Sequence, residues 1–141
     1  MKDAEIYGKD PSGTFRVIRT DTEGRMIRGY YVRDITTTGS STLLRNDENI
    51  ILTGVAGTYL DLVTITASNT SGVAINLNIR SGKGASVAHT LTVPATNSIT
   101  QQFDPPYPAT EKAAVWTAAT NQTGEISDSP VSVTMIAVNH T

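Results

Sequence analysis

The sequence predicts an all-β protein: an antiparallel β-sandwich of jelly-roll or Ig-like type, with an N-terminal β-hairpin arm. Three observations predict it. Apolar and polar residues alternate along most segments, as where Val73, Ile75, Leu77 and Ile79 interleave with Ala74, Asn76, Asn78 and Arg80. That period of two belongs to a half-buried strand. Turn signals recur at roughly 8–12-residue spacing, as in sandwiches and barrels. Charged residues make up only 17% of the chain. Thr, Ser, Ala, Gly and Asn fill the polar positions instead, which suits strand faces and tight turns.

The elements follow in order. Tyr7-Gly8-Lys9-Asp10-Pro11-Ser12-Gly13 is a turn-rich lead. Thr14–Thr20 alternates, Asp21-Thr22-Glu23-Gly24 turns, and Arg25–Ile35 resumes as a strand. Together they predict a two-stranded ribbon, which needs a surface to pack on because an isolated hairpin is marginal in water. Thr36–Ser41 (TTTGSS) reads as a flexible connector. The division is therefore an arm over residues 1–41 and a sandwich over 42–141. Within the sandwich, strands are predicted at Ile50–Leu52, Leu60–Ala67, Val73–Arg80, Ala85–Val93, Ser98–Phe103, Ala113–Thr120 and Val131–Val138. Asp104-Pro105-Pro106-Tyr107-Pro108 is excluded from any central strand, since its prolines lack N–H donors. Ala109–Ala114 has room for one turn of helix, and Asn121–Glu125 reads as a loop.

Gly82-Lys83-Gly84 raises the question of a phosphate-binding loop. That loop needs G-x-x-x-x-G-K-[ST], running from a strand into a helix. Here Leu77 stands five before Gly82, Gly84 follows Lys83, and both flanks alternate as strands. Ser81–Gly84 is therefore predicted to be a hairpin turn whose glycines supply positive φ.

A chain of 141 residues fits one domain with a short appendage. It holds no cysteine, which excludes disulfides and thiolate metal sites. The formal net charge is −2, a poor match to nucleic acid or anionic membrane. No apolar run approaches the length of a membrane span. The start, MKDAEIYGKD, lacks the apolar stretch of a signal peptide, so a soluble protein made in a cytoplasm is expected. The sequons at Asn69, Asn121 and Asn139 accordingly read as Thr-rich turns. Charge is concentrated early: residues 1–50 hold Lys2, Lys9, Arg16, Arg19, Arg25, Arg28, Arg33 and Arg45, and beyond them come only Arg80, Lys83 and Lys112.

Residues suited to catalysis do not cluster in the sequence. The two histidines are His89 and His140. His140 is penultimate and expected to fray. His89 lies on the apolar register of its strand and reads as hydrogen-bonded and partly buried. Asp61, Asp104, Glu111, Glu125 and Asp128 are scattered singly, with turn capping the expected role of Asp61. Metal-ligand spacings and calcium loops are missing from the sequence. No enzyme activity, cofactor or metal is predicted. Trp116 reads as core. Tyr107, between prolines, reads as exposed and is the candidate if a glycan is bound.

Two stretches carry a family likeness. DPSGTFRVIRTDTEGRMI (10–27) resembles the Asp-x-x-Gly-x-x-x-x-x-Arg-x-Asp-x-x-Gly-Arg-Leu lead-in of tailed-bacteriophage virion proteins, through Arg19, Asp21, Gly24 and Arg25, with Met26 in place of the usual aliphatic residue. Residues 62–109 are similar to the β-sandwich of small phage capsid decoration and adaptor proteins. The shared pattern is strand, Asn-turn, alternating strand, Gly-turn, a strand ending Val-Pro-Ala, then a strand ending in Phe before a Pro-rich loop. The resemblance covers about half of the chain. It implies a non-enzymatic virion component, a capsid decoration or cement protein, made in the host cytoplasm and placed on the capsid surface. It further implies the major capsid protein and copies of itself as partners, with a homotrimer fitting local three-fold axes. Arg16, Arg19, Arg25, Arg28, Tyr30, Tyr31 and Arg33 of the arm have the Arg/Tyr character of interface anchors, and a hairpin folded back on its own domain is the alternative. Two other functions stay open: a tail, neck, baseplate or fibre component, and a carbohydrate-binding adsorption module.

Overall fold

A computed structural model describes residues 36–141 in full and, as backbone only, residues 6–9 and 15–18. The chain divides into two compact units, Met1–Val32 and Arg33–Thr141. In the first, β1 (Ile6–Lys9) pairs antiparallel with β2 (Phe15–Ile18), Tyr7 opposite Val17 and Gly8 opposite Arg16. The β2 strand falls inside the expected Thr14–Thr20. Its partner here comes from the stretch read as a turn-rich lead. The expected strand over Arg25–Ile35 lies outside the described residues.

The second unit is the sandwich. Its strands are β3 (Thr36–Leu44), β4 (Asn49–Leu52), β5 (Tyr59–Asn69), β6 (Ile75–Ser81), β7 (His89–Val93), β8 (Asn97–Tyr107), β9 (Trp116–Thr120) and β10 (Asp128–His140). They form two antiparallel sheets of four strands, ordered β3-β10-β5-β8 and β4-β9-β6-β7. Nearly every connection crosses from one sheet to the other. This eight-stranded order, two interlocked Greek keys, is that of a jelly roll, so the structure selects that arrangement over the Ig-like one.

Period-two patterning explains the core. On β5, Leu60, Leu62, Ile65 and Ala67 point inward; on β10, Val131, Val133, Met135 and Ala137 do. The inward set of β5 skips one step because Val63 is an extra residue. Ile136 pairs with Thr64, whereas the next residue, Ala137, pairs with Leu62. Such a bulge re-aims the strand without breaking its inward face. From the facing sheet come Leu52, Ile75, Leu77, Ile79, Val93 and Trp116. Trp116 is fully buried, as read from the sequence, and its indole N–H donates to the Leu60 carbonyl at 2.6 Å. That bond ties the two sheets together and satisfies the ring's one polar atom.

The turns follow side-chain chemistry. Asn69, buried, accepts the Ser71 N–H on Oδ1 at 2.9 Å and donates Nδ2 to the Val73 carbonyl at 2.7 Å, an Asx-turn. Asn49, also buried, bridges β3, β4 and β9 through Leu44 N–H, Leu44 O and Ala118 O. The Gly82-Lys83-Gly84 turn holds φ of 99° and 76° at its glycines, the positive φ expected of it. The β6–β7 ladder itself ends at Ile79 opposite His89, so β7 is shorter than the predicted Ala85–Val93.

Three segments depart from the sequence reading. Thr36–Ser41, expected as a connector, is most of β3 and pairs with β10. The sandwich therefore begins before residue 42. Pro105 and Pro106 do lie in a strand, but β8 is an edge, hydrogen-bonded to β5 alone, where missing N–H donors are tolerated. The Ala109–Ala114 stretch makes a turn closed by Ala114 N–H to Glu111 O at 3.4 Å; among the described residues there is no helix.

Candidate functional site

The outer face of the β3-β10-β5-β8 sheet is the most distinctive surface of the sandwich. Strand pairing aligns its outward residues into rungs. One rung runs Ser40–Thr134–Thr66–Thr100, the next Thr42–Ser132–Ser68–Ser98, and the third Thr38–Ile136–Thr64–Gln102. Ten of these twelve positions are Ser or Thr, and none is charged. All are exposed or half-buried. Neighbours within a rung bond through their hydroxyls: Ser40 with Thr134 at 2.7 Å, Thr42 with Ser132 at 3.3 Å, and Thr66 with Thr100 at 3.2 Å. Cross-strand Thr–Thr and Thr–Ser pairs of this kind stabilise a sheet. Three pairs of the face are held in this way. Alternation in each strand marked its outward positions. Their alignment into rungs depends on register between strands far apart in sequence.

A second cluster sits at one end of the same sheet. Tyr59 and His140 are paired across β5 and β10, and Asp61 lies opposite Val138. The buried Asp61 carboxylate contacts His140 Nε2 at 2.8 Å through Oδ2, and its Oδ1 accepts the Ala109 N–H at 3.0 Å. The His140 ring stacks on Tyr59, centroids 5.1 Å apart and planes 18° apart. Lys112 Nζ lies 5.7 Å from the Tyr59 ring centroid. His140 is therefore held by a strand pairing, a stack and a carboxylate, which corrects the expectation that it frays. Asp61 caps the segment at Ala109, close to the role read for it. A carboxylate that orients an imidazole is half of a nucleophile-activating arrangement. The other ring nitrogen, Nδ1, has the Thr141 carbonyl as its neighbour at 3.4 Å. Among the described residues, no three His, Cys, Asp or Glu side chains converge as metal ligands. The geometry is that of a clasp joining β10, β5 and the 108–112 segment.

A third feature answers the question of the Gly-Lys-Gly turn. Gly84 N–H points at the Glu48 carboxylate, 3.1 and 3.0 Å from its two oxygens, and Thr117 Oγ1 donates to the same group at 2.7 Å. The Gly82 N–H donates to Val115 O at 2.7 Å. Amides that would face a phosphate in a nucleotide loop here hold an internal carboxylate and a backbone carbonyl. Beside the turn lies an open cleft of about 500 Å³, lined by Asn46, Asp47, Arg80, Asn121 and Gln122 among others.

The residues singled out from the sequence are placed as follows. Arg16 is on β2, opposite Gly8. Arg19, Arg25, Arg28, Tyr30, Tyr31 and Arg33 lie outside the described residues. Tyr107 is half-buried and not exposed as expected: its hydroxyl donates to Ala88 O at 3.1 Å, and its ring meets Phe103 and Trp116 edge-on at 5.6 and 6.0 Å. Proline-flanked loops suggest exposure, but the aromatic body is recruited to close the core where β7 and β8 meet. His89 is half-buried, edge-on to Phe103 at 5.3 Å. No local signal in the sequence marks the hydroxyl face, the Asp61–His140 clasp or the Glu48 anchor, since each joins residues tens of positions apart. In comparisons of sequence, the chain matches no known protein-family model and no curated protein.

Proposed function

We propose that this protein is a non-enzymatic virion component of a tailed bacteriophage, decorating the outer capsid lattice as an oligomer. Its partners are then the major capsid protein and copies of itself, in a homotrimer where it sits on local three-fold axes. One observation carries the reading: the broad, uncharged plane of hydroxyls on the β3-β10-β5-β8 sheet. A surface of that kind can pack against protein without desolvating charge, because it offers both donors and acceptors and carries none. The jelly-roll order adds support by analogy, since capsid and lectin domains use it, although fold alone does not fix function. The Arg and Tyr residues of the arm supply anchors, and many weak contacts on a repeating lattice add through multivalency.

The test is co-sedimentation of purified protein with undecorated capsids, together with a mass count of copies per virion. Decoration gives lattice-scale copy numbers; a count of about a dozen or fewer places the protein at a tail or neck instead. The double variant Thr66→Arg/Thr134→Arg puts two charges at the centre of the hydroxyl plane and is expected to reduce capsid binding at least tenfold, with thermal unfolding of the variant separating a lost contact from a lost fold. Unchanged binding by that variant rejects the face as the contact.

A further inference from the structure

We infer that β3 is a self-pairing edge, through which two copies of this chain join their sheets antiparallel about a two-fold axis at Ser40. A sheet edge presents a row of unpaired N–H and C=O groups, a template for another strand unless something blunts it. Among the described residues, four strands of the sandwich are edges: β3 and β8 in one sheet, β4 and β7 in the other. The three other than β3 offer shorter or interrupted ladders. β4 has four residues, and its Ile51 carbonyl is pressed against Gly39 of β3. β7 has five. β8 pairs evenly with β5 over Asn97–Gln102, but its pairing then shifts register between Leu62 and Thr64, and its second half carries Asp104, Pro105 and Pro106. β3 runs for nine residues, TTTGSSTLL, with no proline and no charge. Its pairing with β10 is unbroken from Thr36 to Thr42.

The sequence of β3 fits a second copy of itself. An antiparallel pair centred on Ser40 sets Thr38 opposite the partner's Thr42 and Ser40 opposite the partner's Ser40. Outward positions then face outward positions, so the hydroxyl rungs continue across the axis. These pairings repeat the chemistry β3 already uses toward β10, where Ser40 bonds Thr134 and Thr42 bonds Ser132. Two uncharged strands bring no like charges together, whereas a charged edge would oppose itself. The interface is isologous and closes at two copies. It does not rest on the capsid reading; combined with the homotrimer proposed there, it requires six chains, because a two-fold contact is added to the three-fold one.

The absence of cysteine from the chain makes the register directly testable. In the full-length Ser40→Cys variant, the two-fold sets the new thiols opposite one another, within the Cα separation of about 4.4–6.8 Å that a disulfide spans. Mild oxidation is expected to give a covalent dimer on non-reducing gels. Thr36→Cys, four residues off the axis, is expected to give several-fold less. Light scattering is expected to show an even number of chains for the wild type, halved in Thr38→Lys/Thr42→Lys and restored in Thr38→Lys/Thr42→Glu, where opposite charges meet across the axis. A wild-type mass of one or three chains overturns the inference. So does a mass that the paired lysines leave unchanged, or cross-linking at position 36 equal to that at 40; the cysteine comparison stands even if the lysine variant fails to fold.

Discussion

Replacing Gly39 by alanine tests how tightly β3 is seated on the facing sheet. A methyl group built at Gly39 overlaps the backbone carbonyl oxygen of Ile51 and lies 2.9 Å from Leu52 Cδ2 and 3.1 Å from the Ile51 carbonyl carbon. Two of those three atoms are backbone, so no rotamer change relieves the clash. The strands must separate by about 1 Å at that corner, in an interior packed at crystal-like density. Overpacking of that kind costs about 1–3 kcal/mol. Against it stands a gain of about 0.4–1 kcal/mol, because alanine restricts the unfolded chain more than glycine does. The steric term wins, and a net loss of about 1–2 kcal/mol is expected, or about 4–9 °C in Tm for a domain of this size. Gly72→Ala supplies the control: nothing lies within 4 Å of its added methyl, so only the unfolded-state gain applies and stability should hold or rise slightly. Urea unfolding followed by fluorescence of Trp116, the one tryptophan and fully buried, reads both variants. A Gly39→Ala protein as stable as the wild type would refute the close seating of β3 on β4.

Asp61→Ala removes the partner of His140 and the acceptor of Ala109 N–H, and a loss of about 1–3 kcal/mol is expected by chemical denaturation. His140→Ala should cost less, and a double-mutant cycle should show coupling of about 0.5 kcal/mol or more between the two positions. Glu48→Ala strands the buried Thr117 hydroxyl and frees the Gly84 amide. It should lower stability by about 1.5–3 kcal/mol, with Glu48→Gln milder, since charge-assisted bonds are the stronger ones. Tyr107→Phe loses only the bond to Ala88 O, about 0.5–1.5 kcal/mol, while Tyr107→Ala also opens a gap beside Phe103 and Trp116 and should cost about 3 kcal/mol or more. Glycan-array binding that disappears in Tyr107→Phe with stability intact would contradict the structural role given to that hydroxyl.

Local chemistry carried most of the strand inventory. Alternation in Val131–Ala137 and in Ile75–Ile79 matches the inward residues, because side-chain direction in a strand depends only on position parity, but Val73, read on the same face, is exposed and lies before β6. Asn69 and the Gly82–Gly84 pair marked turns for equally local reasons. β3 was missed because TTTGSS presents no large apolar residue before Leu43; small side chains and a glycine look like a linker until the strand is laid on β10. The place of Tyr107 against the core is not legible locally, because proline neighbours constrain the backbone and say nothing of what the ring touches.

Composition and alternation are enough to read a β protein, its strand positions and the apolar residues available for a core. Tertiary structure alone decided the jelly-roll order, the rungs of hydroxyls, and the meeting of Asp61 with His140. The physical reason is range. Periodicity and turn chemistry act over a few residues, whereas Ser40 finds Thr134 across 94 positions and Thr117 finds Glu48 across 69. Such pairings depend on which sheets pack and in what register, and that is settled by the whole core at once.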